Sequence, residues 1–432
     1  MSATTGMTPG VVYTEADRER LQGRSLRILL ASQVLSGAGL AAGVTVGALL
    51  AEDMLGTTGL SGLPATLFTF GSAGAALAVG TLSDRRGRRS GLAAGYAAGA
   101  VGGAGVALAA VLGSVPLLLL ALLVYGAGTA TSLQARYAGA DLALPERRGT
   151  AISTILVGTT LGAVAGPNVV EPVGRLADQF GIPPLAGPFV LAALAYGLAA
   201  VVLLIWLRPD PLLVARDLAK QRAAADEEQR RASGAAVPVV QGTDYAAVRL
   251  GGISMVVTQL VMVAVMTMTP VHMRDHGHGL GATGLVIGLH IAAMFLPSPV
   301  TGRLADRYGS RPIAAVGGLA LLGAGVLAAT APDDSVALLA LALILLGLGW
   351  NLGLLAGTTL VAAAVPIDGR ARIQGRLDVA VALAGATGGL ASGFVMASTS
   401  YGTLASVSGV LAVAVLSAAV RPARRTPVGA GS

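Results

Sequence analysis

The feature that most constrains this chain is a series of apolar runs, each close to 20 residues long and nearly free of charge. At a helical rise of 1.5 Å per residue, about 20 residues cross the roughly 30 Å of hydrocarbon in a bilayer. Twelve such runs can be placed. Six lie near residues 26–50, 60–80, 91–112, 115–134, 150–170 and 188–207, and six near 251–271, 282–301, 312–330, 335–361, 379–396 and 401–420. A chain that is 54% hydrophobic and 12% charged carries more apolar surface than a soluble core of 432 residues could bury, so lipid is the solvent it implies. The 61 glycines fall largely inside the apolar runs, where small residues let membrane helices approach closely.

The net charge of +7 raises nucleic acid as a partner, but topology accounts for it better. With both termini placed in the cytoplasm, all of the 29 Lys and Arg residues except Arg175 and Arg274 fall on the cytoplasmic side. Basic loops resist translocation, so this asymmetry sets orientation and calls for an even number of spans. The first residues lack the basic, apolar and small-residue pattern of a signal peptide. With no cysteine, neither a disulfide framework nor a thiolate metal site is available.

The expected organisation is a cytoplasmic tail over 1–24, a six-helix bundle over 25–207 and a cytoplasmic linker over 208–248. A second six-helix bundle follows over 249–421, then a tail over 422–432. The linker is polar and alanine-rich around Arg216 to Arg231, and reads as a solvated spacer that is partly helical. The expected fold is an all-α membrane protein of twelve transmembrane helices in two bundles, monomeric, multi-pass in the cytoplasmic membrane, with the lipid bilayer as partner and no cofactor.

The loop after the second run carries Gly80, Leu82, Asp84, Arg85, Gly87, Arg88 and Arg89; the loop after the eighth carries Gly302, Leu304, Asp306, Arg307, Gly309 and Arg311. Both read Gly-x-Leu-x-Asp-Arg-x-Gly-x-Arg, half a chain apart, as an internally duplicated transporter would. The glycines permit a tight turn, and the Asp can pair with Arg and with the N-terminus of a neighbouring helix. This duplicated motif resembles the signature of the major facilitator superfamily, and the resemblance covers nearly the whole chain. It implies two bundles rocking in alternating access, with Asp84 and Asp306 gating rather than binding solute.

Ionisable residues inside lipid are costly and point to function. Arg136 and Asp378 lie near cytoplasmic ends, and Asn351 sits in the tenth run; these three are candidate polar groups of the cavity. His290 lies roughly 12 Å in from the outer end of its run. All four histidines, His272, His276, His278 and His290, crowd one hairpin with Met255, Met262, Met266, Met268, Met273 and Met294. Met262 and Met266 share a helix face, as do His290 and Met294. Thioether sulfur with imidazole suits a soft cation such as Cu(I).

Met-x-x-x-Met followed by His-x-x-x-Met is similar to the motif pair of the CcoA-like copper importers, a subgroup of the same superfamily. That resemblance makes Met262, Met266, His290 and Met294 candidate copper ligands and copper the candidate substrate. His272, Met273, His276 and His278 are local candidates for capturing ions at the outer mouth. The rival is a proton-coupled efflux antiporter, or another carrier, for a small organic compound. Gly158, Gly162, Gly166 and Pro167 look like the antiporter motif of drug-exporting relatives, with Val170 where that motif continues with Gly. A plain packing seam has the same spacing and leaves both readings open. An enzyme is not expected, because no Ser/His/Asp or Cys/His arrangement is available. A membrane sensor would need an output domain larger than the linker.

Overall fold

The computed structural model describes residues 12–55, 63–233 and 242–420, with side chains apart from those at 38–45, 48–49, 51–52, 55, 63–65, 161–170, 280 and 420. Gly162, Gly166, Pro167 and Val170 therefore lie outside the described side chains, and Arg421, Arg424, Arg425 and the last tail lie outside the described residues.

In hydrocarbon every backbone N–H and C=O must be satisfied within its own segment, so the apolar runs fold as helices. The first seven are α1 (Glu15–Leu55), α2 (Leu63–Arg86), α3 (Arg88–Leu112), α4 (Val115–Ala140), α5 (Arg148–Asp178), α6 (Gly187–Trp206) and α7 (Pro211–Ser233). The second seven are α8 (Tyr245–Asp275), α9 (Leu280–Phe295), α10 (Ser298–Tyr308), α11 (Ser310–Thr330), α12 (Val336–Ala364), α13 (Arg370–Ser398) and α14 (Tyr401–Val420). Among the described residues, ten helical stretches are long and apolar enough to cross a membrane. At 41 and 31 residues, α1 and α5 are long enough as well. The chain is an all-α membrane protein.

Two compact units emerge. The first comprises residues 1–242 together with Val365–Val379, so that Arg370–Val379 of α13 packs with the N-terminal unit. Within it α4 packs on α2 and α3, α6 on α1 and α3, and α5 on α1. Its core is aromatic where these helices meet: Tyr125 stands edge-on to Phe189 at 5.4 Å, and Tyr196 stacks on Tyr96 at 5.8 Å. The second unit comprises 243–364 and 380–432; in it α12 packs on α8, α9 and α11, and α14 packs on α8 and α11. Large apolar side chains such as Leu120, Leu194, Leu198 and Val410 remain exposed on helix faces, which is where lipid covers them.

Two elements differ from the sequence expectation for identifiable reasons. α1 begins inside the segment read as a tail, because Thr14 and Asp17 form a reciprocal cap. Asp17 N–H donates to Thr14 Oγ1 at 3.1 Å, and Thr14 N–H donates to Asp17 Oδ2 at 3.0 Å. Arg18 then anchors this turn by donating to the carbonyls of Leu142 and Ala143 at 2.9 and 3.0 Å. The eighth run is broken into α9 and α10 at Leu296–Pro297, where proline removes a backbone donor. The linker helix α7 returns to α1 through Arg222 and Glu15, and the hydrogen bond from Arg222 holds the Glu15 carboxyl below its ordinary value.

Candidate functional site

The duplicated motif folds the same way twice. Gly87 ends α2 at φ 89°, ψ 165°, and Gly309 ends α10 at φ 87°, ψ 155°, a conformation L side chains rarely adopt. The surroundings differ. A Cβ on Gly87 would meet the Asp210 carboxylate at 2.3 Å, whereas one on Gly309 would meet nothing within 4 Å. Asp210 is itself occupied: it accepts from Arg89 N–H at 2.7 Å and from Leu212 N–H at 3.0 Å, capping the starts of α3 and α7 together.

Asp84 is buried and heavily bonded. Arg216 of α7 donates to its Oδ1 at 2.7 Å, Arg372 donates to Oδ2 at 2.9 Å, and the N–H of Gly369, just before α13, donates to Oδ1 at 3.1 Å. The Arg and helix N-terminus expected from sequence are thus supplied by α7 and α13. Gly80, one turn earlier, lies against the same segment: a Cβ there would fall 2.8 Å from Gly375 Cα and 2.9 Å from Ala371 O. Arg85 and Arg307 are exposed, Gly302 is buried, and Asp306 and Arg311 are partly buried.

Arg88 is fully buried and grips Asp141 with two nitrogens at 2.7 and 3.3 Å while donating to Gln374 Oε1 at 2.6 Å. Arg136 donates to Asp378 Oδ1 at 2.7 Å with side-chain exposures of 0% and 4%, so neither charge is offered alone to a solute. The other oxygen, Asp378 Oδ2, is buried and has no hydrogen-bond partner. Asp141 and Arg216 were missed by sequence reasoning. Each lies in an ordinary loop or linker, and its partner is remote in the chain.

A neutral network, also missed, lies deeper in the first unit. Gln33 of α1 donates to the Ser132 carbonyl at 3.1 Å and to Thr159 Oγ1 at 3.0 Å, and Tyr96 donates to Gln33 Oε1 at 2.5 Å, its hydroxyl lying 3.1 Å from Ser36 Oγ. All five residues are buried. The available signal was Gln33 itself, a lone amide within the first apolar run.

In the second unit, Trp350 donates to Gln259 Oε1 at 2.8 Å, and Phe295 stands edge-on to Trp350 at 5.4 Å. Asn351, a candidate polar group of the cavity, is hydrogen-bonded between helices. Its Nδ2 donates to Met294 O and Ser298 Oγ at 2.7 Å each, and its Oδ1 accepts from Thr301 at 2.7 Å. Both ends of the amide are spent on the break between α9 and α10, where a proline-interrupted helix needs outside partners.

His290 is fully buried, so it does not face lipid. Its Nδ1 lies 2.8 Å from Leu343 O; a carbonyl only accepts, so Nδ1 carries the proton and Nε2 holds a lone pair. That Nε2 is buried without a partner. Met262 and Met294 are buried as well, and Met266 is partly buried.

At the end of the unit that carries the α8–α9 and α11–α12 turns, His272 Nε2 lies 3.5 Å from Asp333 Oδ1 and His276 Nε2 lies 3.4 Å from Asp333 Oδ2. His278 Nε2 bonds the Asp333 carbonyl at 2.7 Å, and Tyr401 stacks on His272 with centroids 4.3 Å apart. His272, His276, Asp333 and Tyr401 line a cleft of about 400 Å³. Met273 does not share this exposure, being fully buried.

The comparisons agree with this architecture. The family model described as Major Facilitator Superfamily matches residues 29–250 and 250–431. The chain is 53% identical over 412 residues to the MFS-type transporter YdeG of Bacillus subtilis, covering 95% of each chain. It is 28% identical over 362 residues to the riboflavin transporter RfnT of Brucella anthropi, covering 82% of this chain and 84% of the relative. Among solved structures it is similar in fold to the proton:xylose symporter XylE, with TM-score 0.74, 16% identity and coverage of 92% and 95%. It is equally similar to the human organic anion transporter MFSD10, with TM-score 0.74, 17% identity and coverage of 92% and 99%. None of these descriptions carries the copper subgroup to which the Met/His spacing was likened. Twelve apolar runs, a duplicated loop that folds twice alike and a family match across both halves converge: the chain belongs to the major facilitator superfamily and is a membrane carrier.

Proposed function

We propose that the carrier moves a small, largely uncharged organic solute with hydrogen-bonding edges, with both termini in the cytoplasm. The observation that carries this reading is the neutrality of the polar groups buried deep in the spans. Gln33, Ser36, Tyr96, Ser132 and Thr159 in one unit, and the partly buried Gln259 with Trp350 in the other, are amides, hydroxyls and an indole bonded to one another, and a solute would exchange its own hydrogen bonds for theirs. The ion pairs Arg88–Asp141 and Arg136–Asp378 sit toward helix ends and cancel in charge. Buried amides and hydroxyls recognise a neutral heterocycle without the desolvation cost that a free charge would impose. The similarity to a riboflavin transporter favours the same class. In a proton-coupled cycle, the unpartnered Oδ2 of Asp378 is where a proton would reside.

The second reading is copper uptake through Met262, Met266, His290 and Met294. It is favoured by one observation: the lone pair of His290 Nε2 is buried and unused while Nδ1–H is fixed on a backbone carbonyl, as in many metal-bound histidines.

Proteoliposome uptake separates the two. The organic reading expects accumulation of riboflavin or a similar neutral heterocycle, cut at least about tenfold, or 1.4 kcal/mol, by Gln33→Leu and by Trp350→Ala. Failure of every neutral heterocycle, together with copper accumulation abolished by His290→Ala, transfers the assignment to the metal.

A further inference from the structure

We propose that His272, His276 and Asp333 form a binding site for a divalent transition-metal ion of the Zn2+ class, at the end of the second unit formed by the C-terminus of α8 and the α11–α12 turn. The inference is independent of the transported solute and uses none of the groups assigned to it.

Three observations carry it. The first is convergence: the ligand atoms of the three side chains all lie within 4.8 Å of one another, although Asp333 is remote in sequence from the histidines. The helix supplies part of this. His272 and His276 are one turn apart at the end of α8, and their rings approach to 4.4 Å.

The second is proton placement. His276 Nδ1 lies 2.8 Å from the His272 carbonyl, which can only accept, so Nδ1 carries the proton. In the neutral ring, His276 Nε2 therefore aims a lone pair at a carboxylate oxygen. Two lone pairs face each other with no hydrogen between them. A cation on the line of approach removes that repulsion.

The third is distance. A charge-assisted hydrogen bond between imidazolium and carboxylate closes to about 2.7–2.9 Å. The separations here are 3.5 Å for His272 and 3.4 Å for His276. Ligands held about 2.1 Å from a tetrahedral ion stand about 3.4 Å apart, the edge of the tetrahedron. Each imidazole nitrogen therefore stands about one ligand edge from its own carboxylate oxygen, farther than a charge-assisted hydrogen bond would hold it.

The donor set selects the ion. Two imidazoles and one carboxylate suit borderline divalent ions, and the absence of a thiolate disfavours Cu(I). Three protein ligands leave a fourth position for water, open to the cleft of about 400 Å³. His272 is further oriented by Tyr401, whose hydroxyl lies 2.8 Å from Thr269 Oγ1. A bound ion would fasten the end of α8 to the α11–α12 turn, with the start of α14 held alongside by that stack.

The test is titration of the purified full-length protein in detergent with Zn2+, followed by calorimetry and by thermal melting, with Mg2+ as the control cation. The expected result is one Zn2+ per chain and a higher melting temperature, no response to Mg2+, and at least a tenfold loss of Zn2+ affinity in both His276→Gln and Asp333→Asn. His276 and Asp333 are exposed, so these variants should fold, which gel filtration checks. Absence of stoichiometric Zn2+ binding, or binding that both folded variants retain unchanged, overturns the proposal.

Discussion

Replacing Arg136 by methionine tests the buried ion pair that joins α4 to the first part of α13. Arg136 and Asp378 have 0% and 4% of their side chains exposed and meet at 2.7 Å. Removing the guanidinium leaves the carboxyl two options: it stays charged without its partner, or it takes up a proton. Starting from a reference pKa near 3.9, protonation at pH 7 costs about 4 kcal/mol, at 1.36 kcal/mol per unit. The penalty therefore cannot exceed that figure by much, and it agrees with the roughly 3–5 kcal/mol found when one member of a buried pair is deleted. The sign with pH follows directly. A carboxyl that is neutral when folded and charged when unfolded destabilises the variant above the unfolded pKa, so the loss should shrink to about 1.5 kcal/mol at pH 5. At about 2 °C per kcal/mol, the melting temperature of Arg136→Met falls by roughly 6–8 °C at pH 7 and by about 3 °C at pH 5. In the double variant Arg136→Met/Asp378→Asn the charge is gone, and most of the stability returns at pH 7. Fluorescence-detected melting of the purified protein reads all three values. A single variant as stable as the parent at pH 7, or one whose loss is the same at both pH values, refutes the reasoning.

Three further outcomes follow from the same geometry. Gly80→Ala places a methyl group 2.8 Å from Gly375 Cα and 2.9 Å from Ala371 O, both backbone atoms, and should cost about 1–3 kcal/mol in a melting experiment. Gly87→Ala and Gly309→Ala share the strain of a positive φ, about 1–2 kcal/mol, but only Gly87→Ala also drives a Cβ into Asp210, so it should melt at the lower temperature. Asp210→Ala removes caps from two helices at once and should cost about 1–2 kcal/mol, read as earlier hydrogen exchange at the starts of α3 and α7.

Legibility from sequence followed interaction range. Gly87 and Gly309 could be read because a tight turn is a local demand and the repeat announced it twice. Thr14 with Asp17 is equally local, yet the segment reads as tail, because the polar residues around it carry no apolar period. Asp84 was readable as a residue needing an Arg, but not which Arg. Asp141 was not readable at all, since its role depends on Arg88, which approaches only when α3 and α4 pack. The partners of Asn351 were unreadable for the same reason: only packing brings its amide to the break between α9 and α10.

By itself the sequence determined what local chemistry and solvent determine: helices long enough to cross lipid, the duplicated turn and the family. Tertiary structure alone decided which buried polar groups are spent on each other and which remain open. Gln33 finds Thr159, Arg136 finds Asp378, and His290 Nε2 and Asp378 Oδ2 are left without partners. The physical reason is that a hydrogen bond inside the bilayer depends on ångström-scale approach between helices far apart in the chain, and apolar periodicity carries no record of that distance.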